Sequence, residues 1–316
     1  MKDTLKIQVI LMGHLRGSSH LSYLKKFFDT IDINILNKKL NANYTNLIID
    51  YCLYTYPEIN FKPKILEYGK KNYPELYKEY TIEDFYIWLE DYKKVFNFKT
   101  ININKDNLIK IDTDTLFKQN VDDMCQDITI KSLSEHIKYH IGYQMNKYEK
   151  MCEMIDDDAD IIFRLRPDLI FSYDFEKEQS FLSEHINQSI VNILKDTSKS
   201  VYINWHVINE GYIWAGDYYH IGNPNNIKLL FKDILNKTFQ LIGEYDKLNK
   251  NEFPTIYKYI KRFVESCAFE IKQTTNCSIE NVNLKICPFR HYLLYVYVPF
   301  EKNYNGEIDY HTIHDQ

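Results

Sequence analysis

The sequence predicts an α/β fold in one domain over residues 1–316, with a mostly parallel central sheet flanked by helices. Three observations carry that expectation. Short apolar, β-prone runs alternate with stretches whose apolar residues recur at helical spacing, the pattern of strands joined by crossover helices. The 316 residues suffice for one large α/β domain, and 45% hydrophobic with 26% charged residues is an ordinary globular balance. No repeat, Gly/Ser linker or low-complexity tract interrupts the chain.

The first strand is predicted at 5–12, an apolar run that ends at Gly13. Ser18 or Ser19 then suits the N-cap of a helix whose Leu21, Leu24, Phe27 and Phe28 share one face. A β-prone run at 46–56 stops at Pro57, and Thr81 opens a helix over 82–96 with Phe85, Trp88, Leu89 and Tyr92 along one side. The strongest helical period covers 134–155, where Ile137, Ile141, Met145, Tyr148, Cys152 and Ile155 make a stripe for core packing. The acidic run Asp156, Asp157, Asp158 closes that helix and leads into a buried strand at 160–163. A strand at 217–221, helices at 225–243 and 254–274, and strands at 279–286 and 293–298 complete the reading. In such sheets ligands sit beyond the carboxyl ends of strands, which is where chemistry is sought.

A net charge of −5 argues against a nucleic-acid protein, which would carry a basic face. No apolar run approaches the ~20 residues of a bilayer span, so no transmembrane segment is expected. The opening stretch reads as a core strand, not as a signal peptide. Six cysteines, at 52, 125, 152, 267, 277 and 287, form no CxxC pair and suit buried thiols in a reducing compartment. The expected location is the cytoplasm. The 27 tyrosines are read first as coding bias and only second as sugar-stacking surface.

Arg164, Arg166 and Asp168 draw the eye next. In an extended chain they form one polar row, and Pro167 keeps Arg166 away from helical angles. Guanidinium forks pair with phosphate oxygens, and a carboxylate is a hard ligand for Mg²⁺ or Mn²⁺ beside those phosphates. The same three residues also make a plain structural bridge between Asp168 and either arginine. Asp112-Thr113-Asp114 after an apolar 108–111 is a rival acidic pair for a metal, in a weakly patterned polar region.

The stretch 143–171, YQMNKYEKMCEMIDDDADIIFRLRPDLIF, resembles GT-A-type glycosyltransferases of an R-x-R-P-D family found in bacterial capsule and surface polysaccharide synthesis and in large DNA viruses. MGHLRG at 12–17 resembles their opening G-x-x-R loop, and AGDYYHIGNPNNIKLLF at 215–231 their D-x-F-x-x-G segment before a helix. The segment 264–290, VESCAFEIKQTTNCSIENVNLKICPFR, resembles a late Glu-helix-strand-Arg stretch. The resemblance implies a GT-A-like, Rossmann-like domain, with 1–170 mainly nucleotide-binding and 171–316 mainly acceptor-binding. It also implies Asp168 as the last carboxylate of a metal motif for Mn²⁺ or Mg²⁺, although Arg166 stands where an Asp is usual. For a viral chain the cytoplasm would be the host's.

Gly13 and Gly17 let backbone approach a ligand closely, so Gly13, His14 and Arg16 join Arg164 and Arg166 as candidate donor-binding residues. A tight turn into a helix accounts for the same glycines, and no Gly-Lys-Ser/Thr follows to make a P-loop. Asp217, among Tyr212, Trp214, Gly216 and Tyr218, suits a general base, a sugar-hydroxyl acceptor or a structural carboxylate. Glu265 is a second candidate base, and His220 falls in a matched segment. The expected activity is metal-assisted transfer of a sugar from a nucleotide-diphosphate sugar to a hydroxyl of a glycan or other acceptor. The rivals are a metal-dependent phosphoryl or nucleotidyl transferase and an inactive GT-A-like domain that binds carbohydrate or a partner.

Overall fold

A nine-residue strand, β1 (Thr4–Met12), is buried at every position from Ile7 onward, the polar Gln8 included at 2% exposed. Successive side chains of a strand point to opposite faces, so burial of Val9, Ile10 and Leu11 alike means that both faces of the sheet are covered. That is the burial expected of a strand in an α/β sheet. The computed structural model describes residues 3–57, 70–71, 74, 80–104, 143–171, 179–203, 206–209, 212–215, 218–232, 234, 282–286 and 291–293. The chain divides into two compact units: Met1–Lys105, Asp158–Asp196 and Cys287–Gln316 form the first, Asp106–Asp157 and Thr197–Ile286 the second.

In the first unit, β1 pairs in parallel with β2 (Asn46–Thr55) on one side and β4 (Ile161–Leu165) on the other, and β2 pairs in parallel with β3 (Phe98–Ile103). The spatial order is therefore β3-β2-β1-β4. The chain travels outward through three strands, then returns to the far side of the first. Helix α1 (Leu21–Asp29) buries Leu21, Leu24, Phe27 and Phe28. Phe28 meets Phe163 of β4 edge-on at 5.4 Å, and Phe27 stacks on Phe171 at 4.2 Å between centroids. Helix α2 (Ile33–Leu40) follows, and α3 (Ile82–Val95) buries Phe85, Trp88, Leu89 and Tyr92, the face read from spacing. The Thr81 N–H donates to the Asp84 carboxylate at 2.8 Å, closing the start of α3. A two-stranded antiparallel pair joins β5 (Leu169–Phe171) to β11 (His291–Leu293). Helix α5 (Gln179–Lys195) packs against α2 through Asn187, whose amide donates to Thr30 O at 3.0 Å and accepts from Asp32 N–H at 2.9 Å.

In the second unit, β6 (Ser200–Ile203) pairs in parallel with β10 (Asn283–Ile286) and antiparallel with β9 (Tyr219–Gly222). A separate hairpin joins β7 (His206–Asn209) and β8 (Tyr212–Ala215). Helix α4 (Tyr143–Cys152) meets α6 (Pro224–Phe231) where Tyr148 stacks on Phe231 at 4.4 Å. Asn223 caps α6, accepting from Asn225 N–H at 2.9 Å, with Pro224 in the first turn.

The described chain is thus α/β with mostly parallel strands flanked by helices, an order in the first unit compatible with a Rossmann-like fold. Among the described residues no helix is long and apolar enough to cross a membrane. Several boundaries differ from expectation. Neither Ser18 nor Ser19 caps α1; His20 occupies the cap position, and the Ser18 hydroxyl donates to Asp91 of α3 at 2.8 Å instead. The strand expected at 160–163 begins one residue later and runs on through Leu165, because Asp160 is spent on Lys6. Its backbone N–H donates to Lys6 O at 2.7 Å and its carboxylate accepts from Lys6 N–H at 2.8 Å. Helix α6 starts at Pro224 and ends at Phe231 with Lys232 as its cap. The rest of the helix expected to 243, apart from Lys232 and Ile234, the helix expected at 254–274, residues 134–142 and the strand residues 217, 279–281 and 294–298 lie outside the described residues.

Candidate functional site

Strand order places the site before any side chain is considered. The strand order reverses between the parallel strands β1 and β4, a topological switch point, and in α/β sheets ligands bind outside the carboxyl ends of the strands at such a point. The segment after β1 is 13–17, and the segment after β4 is 166–168. Both were singled out in the sequence, and the structure brings them together.

Gly13 N–H donates to Tyr54 O at 3.0 Å, carrying the β1–β2 ladder one residue further. Gly13 has φ 137° and Gly17 φ 119°, conformations that side-chain-bearing residues rarely adopt. A Cβ on Gly13 would stand 3.2 Å from Pro167 Cδ, so its missing side chain serves contact with the second segment. Sequence reasoning left that room open between a ligand and a tight turn; Pro167 packs into it.

The second segment departs from the expected extended row. After Leu165 the chain turns, with Leu169 N–H donating to Arg166 O at 3.2 Å. Arg164 stays within β4, opposite Ile10 of β1 and only 3% exposed. The three residues therefore do not share one face. The turn folds Asp168 back under Arg166, whose Nε donates to Asp168 Oδ1 at 3.0 Å and whose Nη2 donates to Oδ2 at 2.8 Å. From the first segment, Arg16 Nη1 donates to the same Oδ2 at 2.9 Å. Asp168 is 2% exposed, whereas the Arg16 and Arg166 side chains are 19% and 21% exposed. One buried carboxylate is shared by two arginines whose side chains are partly exposed. Burial pushes the Asp168 carboxyl up, but the charges and hydrogen bonds of Arg166 and Arg16 outweigh it and hold the group well below the usual carboxylate range.

A residue that spacing did not reveal secures the turn. His20 is fully buried, and its Nε2 lies 2.6 Å from Pro167 O. A carbonyl only accepts, so Nε2 carries the proton. The Tyr92 hydroxyl donates to the same carbonyl at 2.7 Å. Burial drives the His20 pKa down to about 4 against the opposing effects of Pro167 O and Asp168, so the ring is neutral at pH 7. A solitary histidine before a helix leaves no periodic trace, and only its place one turn ahead of Leu24 hinted at burial.

His14 is half-buried with its ring 5.3 Å from that of Tyr56, at the margin of the same segment. His220 belongs elsewhere: it is buried in the second unit, edge-on to Phe231 at 4.9 Å and to Tyr148 at 6.1 Å, as a core aromatic. Asp217, Glu265 and the Asp112–Asp114 pair lie outside the described residues.

The donor set around Asp168 does not fit a divalent cation. A carboxylate ligand of Mg²⁺ or Mn²⁺ must present oxygen lone pairs, and these two oxygens already receive three charged N–H donors. Each unit of positive charge brought within about 4 Å of a guanidinium costs roughly 4 kcal/mol at the effective dielectric of a protein surface. Among the described residues, no group of three or more His, Cys, Asp or Glu side chains is arranged to hold a metal. What the arrangement suits is an anion with several oxygens, met by two partly exposed arginine side chains at the carboxyl ends of β1 and β4. No family model matches the chain, and no curated protein matches it.

Proposed function

We propose that the protein is a glycosyltransferase of the GT-A type, moving a sugar from a nucleotide-diphosphate sugar to a hydroxyl of a glycan or other acceptor. The observation that supports this most is the pairing of Arg16 and Arg166 at the switch point between β1 and β4. Nucleotides are bound at such switch points, and the diphosphate that leaves in sugar transfer gathers negative charge as the glycosidic bond breaks. Two guanidiniums fixed on Asp168 meet that charge without reorganising. The resemblance of 143–171 to R-x-R-P-D glycosyltransferases points the same way. In an inverting reaction Asp217 or Glu265 takes the acceptor's proton; in a retaining one neither is required for that step.

The test is product analysis with a panel of nucleotide-sugars and glycan acceptors. Sugar transfer releases free nucleoside diphosphate, with kcat/KM falling about a hundredfold in Arg16→Gln and in Arg166→Gln, the scale of losing one donor to a developing oxyanion. Release of sugar-1-phosphate instead marks nucleotidyl transfer, and release of nucleoside monophosphate marks transfer of the sugar phosphate. Binding without turnover of any member leaves a carbohydrate-binding domain.

A further inference from the structure

We propose that Asp168 is a positioning residue, which clamps Arg16 and Arg166 together so that the two guanidiniums, rather than a cation held by Asp168, receive the donor's diphosphate. The proposal rests on the transfer reading for the identity of its ligand and on geometry for everything else. Two like charges on separate segments repel, and neither the loop after β1 nor the turn after β4 would hold its guanidinium beside the other unaided. Asp168 supplies the opposite charge, taking Nε and Nη2 of Arg166 and Nη1 of Arg16 at 2.8–3.0 Å.

Depth orders the group. The carboxylate is almost wholly buried while about a fifth of each arginine side chain is exposed, so an incoming anion meets the arginines before the carboxylate. The platform beneath is rigid. Pro167 O accepts from both His20 and Tyr92, and Pro167 packs on Gly13, tying the turn to the other segment. The arginines are therefore set before the ligand arrives, which removes most of the ordering cost of a bidentate phosphate site. A merely structural bridge needs only one arginine on Asp168. The second is delivered from the other segment, across the switch point, to the same Oδ2 that Arg166 holds.

The probe is inorganic pyrophosphate, titrated calorimetrically against the full chain in EDTA. The expected result is binding without a cation, weakened at least tenfold in Arg16→Gln, Arg166→Gln and Asp168→Asn. Asp168→Glu is expected to recover part of the loss, although Asp168→Asn retains both guanidiniums. In parallel, paramagnetic titration with Mn²⁺ alone is expected to give the same bound ion count in wild type and Asp168→Asn. Pyrophosphate binding that requires Mn²⁺, or Mn²⁺ binding removed by Asp168→Asn, overturns the clamp and returns Asp168 to a ligand's role, with sugar transfer still standing. No pyrophosphate binding under either condition also overturns it and leaves a structural bridge. Pyrophosphate binding in EDTA with no sugar transfer from any donor defeats the proposed function alone. Should Asp168→Asn fail to fold, the wild-type titrations and the two arginine variants still decide the matter.

Discussion

Two buried ionisable groups govern the site, and each has a distinct pH signature. His20 is neutral when folded, with its pKa lowered from 6.5 to about 4 by burial. Between those values the unfolded chain binds a proton that the folded chain does not. Stability therefore falls on acidification through that window, by about 1.4 kcal/mol per pH unit and about 3 kcal/mol in all. Above pH 6.5 the group contributes no slope. His20→Gln keeps an N–H for Pro167 O and is expected to flatten urea-unfolding stability across pH 4–6.5 relative to wild type; parallel curves would show that His20 is not the titrating group. Asp168 works on the other side of that window. Its folded pKa is depressed, so its contribution is complete above the unfolded value near 4 and is lost as pH falls further. Asp168→Asn is expected to cost about 2–4 kcal/mol at pH 7, less than for a fully buried pair because its arginines are partly exposed. The gap between variant and wild type should begin to narrow below pH 4 and keep narrowing on further acidification, and a gap that does not change there would place the cost in packing. These residues differ in how visible they were. Arg16, Arg166 and Asp168 stood out because charged residues flanked apolar runs, whereas His20 acts through a backbone carbonyl and leaves no spacing to detect.

Helix α5 shows how an element can be dictated by docking. Its sequence, QSFLSEHINQSIVNILK, is rich in Ser, Asn and β-branched residues, which lower helix propensity. Sequence reading passed over it for that reason. What fixes it is the buried Asn187, which bridges Thr30 O and Asp32 N–H at the corner between α1 and α2, beside buried Ile186, Ile190 and Val191. Asn187→Ala strands Asp32 N–H and leaves Thr30 O with the longer bond from the Ser183 hydroxyl at 3.3 Å, and is expected to destabilise the fold by about 1–3 kcal/mol in denaturant titration, beyond the effect of lost area. A change below about 0.5 kcal/mol would mean that the corner holds without it. By contrast α1, α3, β1 and β2 were legible because their apolar residues face a core on the period of the element. Strand β3 was not, since Lys99, Thr100, Ile101 and Asn102 are all exposed and give no alternation to read.

For the molecule as a whole, the alternation of strands and helices was enough to give a mostly parallel α/β class, but strand order is a long-range property. That β4 returns beside β1, and not beyond β3, is settled by pairings such as Val9 with Phe163 and by Asp160 stitched to Lys6. This return brings Arg16 within reach of a carboxylate 152 residues further along the chain. Local pattern foresaw two candidate segments; only the topology made them one site, and it replaced the expected extended row by a turn. The whole account stands on ligand binding at those two segments. Hydrogen–deuterium exchange in the presence and absence of UDP-glucose or GDP-mannose tests this most directly. Slower exchange concentrated in 13–17 and 166–169 is the expected result for the donor that is turned over. Protection by that donor elsewhere, with both segments unchanged, would contradict the account.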